Sequence, residues 1–193
     1  MKKSYLYIFR IILIFLFIGA TIFFYYSSPD ELILFIGVEN AYLLMFVLAL
    51  LGGLTTFSGI PYHAILVILA SGGLNPLLLG VSAASGVMIG DATSYYLGYS
   101  GGTFVPQKIQ KILQKFCNFC LAYPRLSPIA FFLYGSLVPF SNDFIVISMG
   151  LARYPFWRVM VPLGLGNLVF NISLAYFALY AYGLLKSIFW FLA

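Results

Sequence analysis

Charged residues punctuate a chain that is otherwise almost continuously apolar. Long charge-free runs lie between Arg10 and Asp30, between Glu39 and Asp91 with only His63 inside, between Arg125 and Asp143, and between Arg158 and Lys186. A helix crossing a bilayer needs about 20 apolar residues. The pattern therefore predicts crossings over 5–26, 77–99 and 159–185. The first begins Met1-Lys2-Lys3, as a secretion signal would, but it is of spanning length and no Ala-x-Ala site follows. It reads as an anchor that stays in place.

The positions of the cations predict a topology. Lys2, Lys3 and Arg10 put the N-terminus in the cytoplasm, leaving Asp30, Glu31 and Glu39 outside. Lys108, Lys111 and Lys115, with Arg125, mark a second cytoplasmic stretch. One crossing leaves at 5–26 and one returns at 77–99, so 41–75 must begin and end outside. That segment is too short for two crossings and a turn, and its middle reads Gly52-Gly53-Leu54-Thr55-Thr56-Phe57-Ser58-Gly59-Ile60-Pro61. The expectation is a re-entrant hairpin with arms 41–51 and 62–74, whose tip carries Gly52, Gly53, Gly59, Pro61 and His63. Irregular backbone at that depth must be buried in protein or line a polar cavity. Segment 126–150 repeats the logic from the cytoplasmic side, with a break at Val138-Pro139-Phe140-Ser141-Asn142-Asp143 and its tip at Pro139. The crossing at 159–185 then runs outward, and 187–193 is an interfacial tail.

The two hairpins resemble each other. Gly52 to Ser58 laid over Gly135 to Ser141 agree in four of seven positions, and Gly90-Asp91 falls opposite Gly166-Asn167. The expected fold class is thus all-α and integral to the membrane: an inverted repeat of re-entrant hairpin plus transmembrane helix, with an N-terminal anchor. Residues 1–40 form the anchor and outer loop, and 41–193 the membrane domain. The latter divides into repeat one at 41–102, an amphipathic cytoplasmic linker at 103–125, and repeat two at 126–185. In such architectures the working site lies at the repeat interface near the midplane.

Composition narrows the function classes. Hydrophobic residues make up 63% of the 193 and charged ones 8%, against about 25% charged in a soluble domain, which excludes a soluble globule. The net charge of +5 is scattered over segment ends, so nucleic-acid binding is not expected. No Gly-x-Ser-x-Gly or His-Glu-x-x-His occurs and there is one histidine, so no enzyme, cofactor or metal is expected.

Candidate chemistry is sparse and therefore informative. Asp91 lies within a crossing, where an ionisable group is costly and functional by default; the alternative is a carboxylate satisfying backbone freed by a hairpin tip. Asn142 and Asp143 sit at the second break, either as part of the site or as an ordinary helix cap. Asp91 and Asp143 are expected to approach each other at the repeat interface, with Tyr95, Asn167 and Asn171 lining the same cavity. Arg125, Arg153 and Arg158 suit capture of lipid phosphate, or else serve only topology. Cys117-x-x-Cys120 is half a zinc or redox site with no second half.

Gly90-Asp91, Tyr95, Gly98 and Gly102 on one crossing, followed by Pro139, Gly150, Arg153, Phe156 and Gly164, resemble the DedA family and its wider VTT (SNARE-associated Golgi protein) superfamily, over roughly 48–183. The resemblance implies a multi-pass protein of the cell inner membrane that moves lipid, as a phospholipid scramblase or a polyprenyl-phosphate flippase, in some members with protons. The lipids implied are anionic phospholipid or polyprenyl phosphate, and homo-oligomers fit the pattern. The acidic residue typical of the family's first hairpin and the two arginines of its second are missing here, which points to a divergent YqaA-like branch. A proton- or ion-coupled solute transporter and a non-transporting assembly factor share the same sequence features.

Overall fold

The computed structural model describes residues 29–54, 62–100, 115, 118–138 and 141–192. The expected anchor at 5–26, the first tip with Gly59 and Pro61, most of the linker, and Pro139 lie outside the described residues. Within them all regular structure is helical: α1 Pro29–Ile36, α2 Val38–Leu54, α3 Tyr62–Ser71, α4 Pro76–Tyr99, α5 Ser127–Leu137, α6 Asp143–Leu151 and α7 Phe156–Leu192. Two stretches, Pro76–Tyr99 and Phe156–Tyr182, are long and apolar enough to cross a membrane.

These two form the axis of the fold. α4 and α7 pack on each other; α2 packs along α4, and α5 along α7. The short helices cross over, so that α6 lies on α4 and α3 on α7. The buried stripes are narrow. On α2 every fourth residue is inside, at Ala41, Met45, Ala49 and Gly53, and on α5 the stripe is Ser127, Phe131 and Gly135. The opposite faces are apolar too, with Leu43, Val47, Val81, Ile89, Leu165 and Val169 exposed. Helices hydrophobic all round belong inside a large protein or a bilayer. One apolar core gathers Met45, Leu66 and Leu79, another Phe131, Met149 and Leu163.

α4 starts where its sequence dictates. Asn75 caps it, its side-chain oxygen accepting from the amides of Leu77 at 3.0 Å and Leu78 at 3.3 Å, and Pro76 occupies the first turn, where a missing N–H costs nothing. α5 stops before the expected break, and α6 resumes at Asp143.

Four expectations are corrected. Gly52 and Gly53 are not at a tip: α2 runs through both to Leu54. Gly53 serves close packing, since a Cβ added to Gly90 of α4 would fall 2.6 Å from the Gly53 Cα. The same relation joins Gly166 of α7 to Gly135 of α5, at 3.0 Å. Gly53, and not Gly52, therefore stands to Gly90 as Gly135 stands to Gly166, one residue off the register expected from the sequence match. His63 lies in the first turn of α3, against Phe170 in an edge-on contact at 5.5 Å. The segment around Asp30 and Glu31 belongs to α1 instead of a loop, because proline followed by acidic residues favours a helix start. Finally, α7 continues past Lys186 to Leu192: one cation does not end a helix, lysine being itself a good helix former.

Candidate functional site

Asp91 and Ser94 are three residues apart on α4, so they share a face. That face is turned inward, and both are buried. It meets the start of α6 and one face of α7, where Asn167 and Asn171 stand one turn apart. The approach is close because Gly98 and Gly150 interlock at the α4–α6 crossing. A Cβ on Gly98 would collide with the Ile147 carbonyl, and one on Gly150 with the Tyr95 carbonyl.

The result is a continuous buried polar cluster. The Asn142 amide nitrogen donates to Asp91 Oδ2 at 2.7 Å and to Asn167 Oδ1 at 3.2 Å. Asp143 Oδ1 accepts from Ser94 Oγ at 2.7 Å, and its Oδ2 accepts from Ser141 Oγ at 2.5 Å. Asn171 donates to the Asn167 carbonyl at 2.8 Å. Tyr134 of α5 donates its hydroxyl to the Ser141 carbonyl at 3.1 Å, holding the second break in place. Asp91, Asn142, Asp143, Asn167 and Asn171 are all buried. The hydrogen bonds found on the two carboxylates all come from neutral groups.

Asp91, Asn142 and Asp143 are thus brought together as expected, and Asn167 and Asn171 join them. The alternative of a cap at the second break is not realised, for Asn142 makes no side-chain capping bond; its amide is spent on Asp91 and Asn167. Tyr95 is elsewhere. Although one turn from Asp91, its ring packs in the second apolar core and its hydroxyl donates to the Tyr154 carbonyl. Tyr154 in turn shares a 2.6 Å hydrogen bond with Ser127, so Tyr95 ties α4 to the α6–α7 turn and the foot of α5.

Ser94, Ser141 and Tyr134 were not singled out in the sequence. For Ser94 the only signal is its three-residue spacing from Asp91, and serine is common on packed apolar helices. Tyr62 at the start of α3 also borders the cluster, within the field of Asp91 and beside Asn171, without closing a hydrogen bond to Asn171 Oδ1.

The arginines stand apart from this site. Arg125, Arg153 and Arg158 are exposed. Arg153 closes α6 in a left-handed conformation at φ 52° and lies over the Tyr99 ring, 5.2 Å from its centroid. No group of three or more His, Cys, Asp or Glu side chains able to hold a metal occurs among the described residues. No family model, no curated protein and no solved structure matches this chain.

Proposed function

We propose that this protein is a multi-pass membrane lipid translocase whose headgroup path runs through the Asp91–Asn142–Asp143–Asn167 cluster. The observation carrying this reading is the cluster itself: a connected set of buried polar side chains inside a body whose outer faces are apolar. Polar groups in such a setting are costly unless satisfied or used. Here they line the seam between α4, α6 and α7, where a headgroup could exchange its water for side-chain partners while its tails stay in lipid.

The packing pattern supports an inverted repeat as the frame of that path. Exchanging α2, α3 and α4 with α5, α6 and α7 carries the α2–α4, α3–α7 and α3–α4 packings onto α5–α7, α4–α6 and α6–α7, and the glycine pairs Gly53–Gly90 and Gly135–Gly166 exchange likewise; the α2–α3 contact has no equally close counterpart among the described residues. The breaks before α3 and α6 are then the tips of two re-entrant hairpins entering from opposite sides. Cations near helix ends support a cytoplasmic N-terminus in an inner membrane, and the exposed Arg125, Arg153 and Arg158 fit contacts with headgroup phosphates at the rim. The resemblance to DedA proteins supports the same class of activity. No nucleotide-binding motif is present in the sequence, so movement is passive or driven by an ion gradient.

The test is reconstitution into liposomes with fluorescent-headgroup phospholipid in both leaflets, followed by an impermeant quencher. Wild type should expose the inner leaflet's fluorescence, and Asp91→Asn should slow that loss at least about tenfold. A protected inner leaflet for every phospholipid and polyprenyl phosphate tried would reject the reading.

A further inference from the structure

Two atoms in the cluster lack what burial demands. Asn167 Nδ2, a donor, and Asn171 Oδ1, an acceptor, are buried with no hydrogen-bond partner. Asn171 is fully buried and Asn167 is 6% exposed. Leaving a buried polar atom unpaired costs about 1–3 kcal/mol, so an orphan donor and an orphan acceptor one turn apart on α7 are unusual in a cluster otherwise so well paired. They are not remote from the carboxylates. The Asn167 side chain faces Asp91, its other amide atom accepts from Asn142, which also holds Asp91, and Tyr62 lies beside Asn171 within the field of Asp91.

The charge of the site says what could complete it. The carboxylates of Asp91 and Asp143 are hydrogen-bonded by Asn142, Ser94 and Ser141, none of which carries positive charge. The exposed arginines take no part. A ligand that is only an anion would meet two acidic groups and no cation, a poor match in a setting of low dielectric. A ligand with N–H donors and positive charge would meet two carboxylates and a vacant acceptor. If it also carries an acceptor oxygen close by, the vacant Asn167 donor is satisfied as well.

We propose that the cluster recognises the primary ammonium of a zwitterionic aminophospholipid. The ammonium donates to the Asp91 carboxylate and to Asn171 Oδ1, and an oxygen of the adjoining phosphate accepts from Asn167 Nδ2. This inference rests on the lipid-translocase reading and narrows it. It sets the substrate apart from polyprenyl phosphates, which lack the ammonium. It also sets it apart from choline lipids, whose quaternary nitrogen has no N–H to give Asn171. The site as it stands is closed, so access requires the helices around it to part.

The methylation series of one headgroup tests this on the wild-type full chain. Phosphatidylethanolamine, its N-monomethyl and N,N-dimethyl forms, and phosphatidylcholine differ by one N–H at each step. Flux in liposomes should fall along the series, with the ethanolamine lipid at least about tenfold faster than the choline lipid, the order expected of one hydrogen bond to a charged group. Phosphatidylglycerol should be as slow as the choline lipid. Equal rates for all headgroups would overturn the proposal while leaving the translocase reading intact.

A second measurement does not depend on transport. Dihexanoyl-phosphatidylethanolamine should raise the melting temperature of the detergent-solubilised protein more than the dihexanoyl choline or glycerol lipids do, and Asn171→Leu should abolish the difference. Selective stabilisation without flux would keep this site and reject translocation. No preference in melting would overturn the proposal, the two vacant atoms then being filled by water alone.

Discussion

The two short helices that lie across the crossings are held very differently. On α6 nearly every side chain is buried: Asp143, then Ile145 through Gly150 without a gap. Its crossing with α4 is locked by the reciprocal contacts of Gly98 and Gly150 with backbone carbonyls. Its C-terminal turn is tied further by Tyr95 and by the Tyr154–Ser127 hydrogen bond. On α3 only Leu66, Leu69 and Ala70 are buried, and its N-terminal end touches α7 through the edge of His63 on Phe170. Both helices border one polar cluster, yet α6 is enclosed almost throughout, whereas α3, which packs on α7, α2 and α4, keeps most of its side chains only half-buried. Transient opening draws on the less deeply buried elements, so α3 is the part expected to move and α4 with α6 the reference frame.

That contrast can be broken first at its tightest point. Gly150→Ala puts a methyl into the Tyr95 carbonyl, and backbone cannot step aside. Overpacking of this kind costs about 1–3 kcal/mol or more, so thermal melting in detergent should drop sharply. Gly164→Ala is the matched control on α7, where the atoms nearest the added methyl belong to the flexible Met88 side chain; its melting temperature should fall much less. Equal losses would mean that the α4–α6 crossing is not specially locked.

Ser94→Ala comes next. It removes one of the two hydroxyls hydrogen-bonded to the buried Asp143 carboxylate and should cost about 1.5–3 kcal/mol, as for other hydrogen bonds to charged groups. Lipid flux should slow along with it. Unchanged stability and flux together would separate Asp143 from the working site. Tyr154→Phe, which loses the hydroxyl shared with Ser127, should cost about 1 kcal/mol and leave the headgroup preference as in wild type, since it stands outside the cluster.

The smallest effect is expected at Arg153. Its left-handed backbone disfavours any residue but glycine by an amount on the order of 1 kcal/mol, while its contact with Tyr99 returns about 0.5–1 kcal/mol. Arg153→Gly should therefore shift stability by less than about 1 kcal/mol, read by the same melting assay. A large loss would show that the guanidinium anchors the turn.

What was legible in the sequence follows from which signals are local. The crossing expected at 77–99 is realised as α4 to within a residue, because the cap at Asn75 and the first-turn proline act locally. The break at Val138–Asp143 is legible for the same reason. Asp91 stands out because charge is rare within an apolar run. Gly52 and Gly53 misled, since glycine marks a helix break and a close helix contact alike, and only the position of Gly90 on another helix decides between them. The end of α7 was hidden because Lys186 resembles a boundary, whereas lysine is an ordinary helix residue. Tyr95 misled because spacing gives a face but not a reach: its long ring carries the hydroxyl away from Asp91 to the Tyr154 carbonyl. The partnership of Ser94 with Asp143, 49 residues apart in the chain, has no local signature at all.

The most direct test is to fix each wall in turn while lipid movement is measured. In a background with Cys117→Ala and Cys120→Ala, cysteines at His63 and Phe170 are joined by a short bismaleimide, which staples α3 to α7. A second protein carries the same bridge between Tyr99 and Arg153, across the end of the α4–α6 crossing. The first bridge should stop phospholipid exchange between leaflets, and the second should leave it at the rate of the unbridged protein. Exchange that survives the α3–α7 bridge, or that stops only with the α4–α6 bridge, would contradict a path opened at the less deeply buried helix.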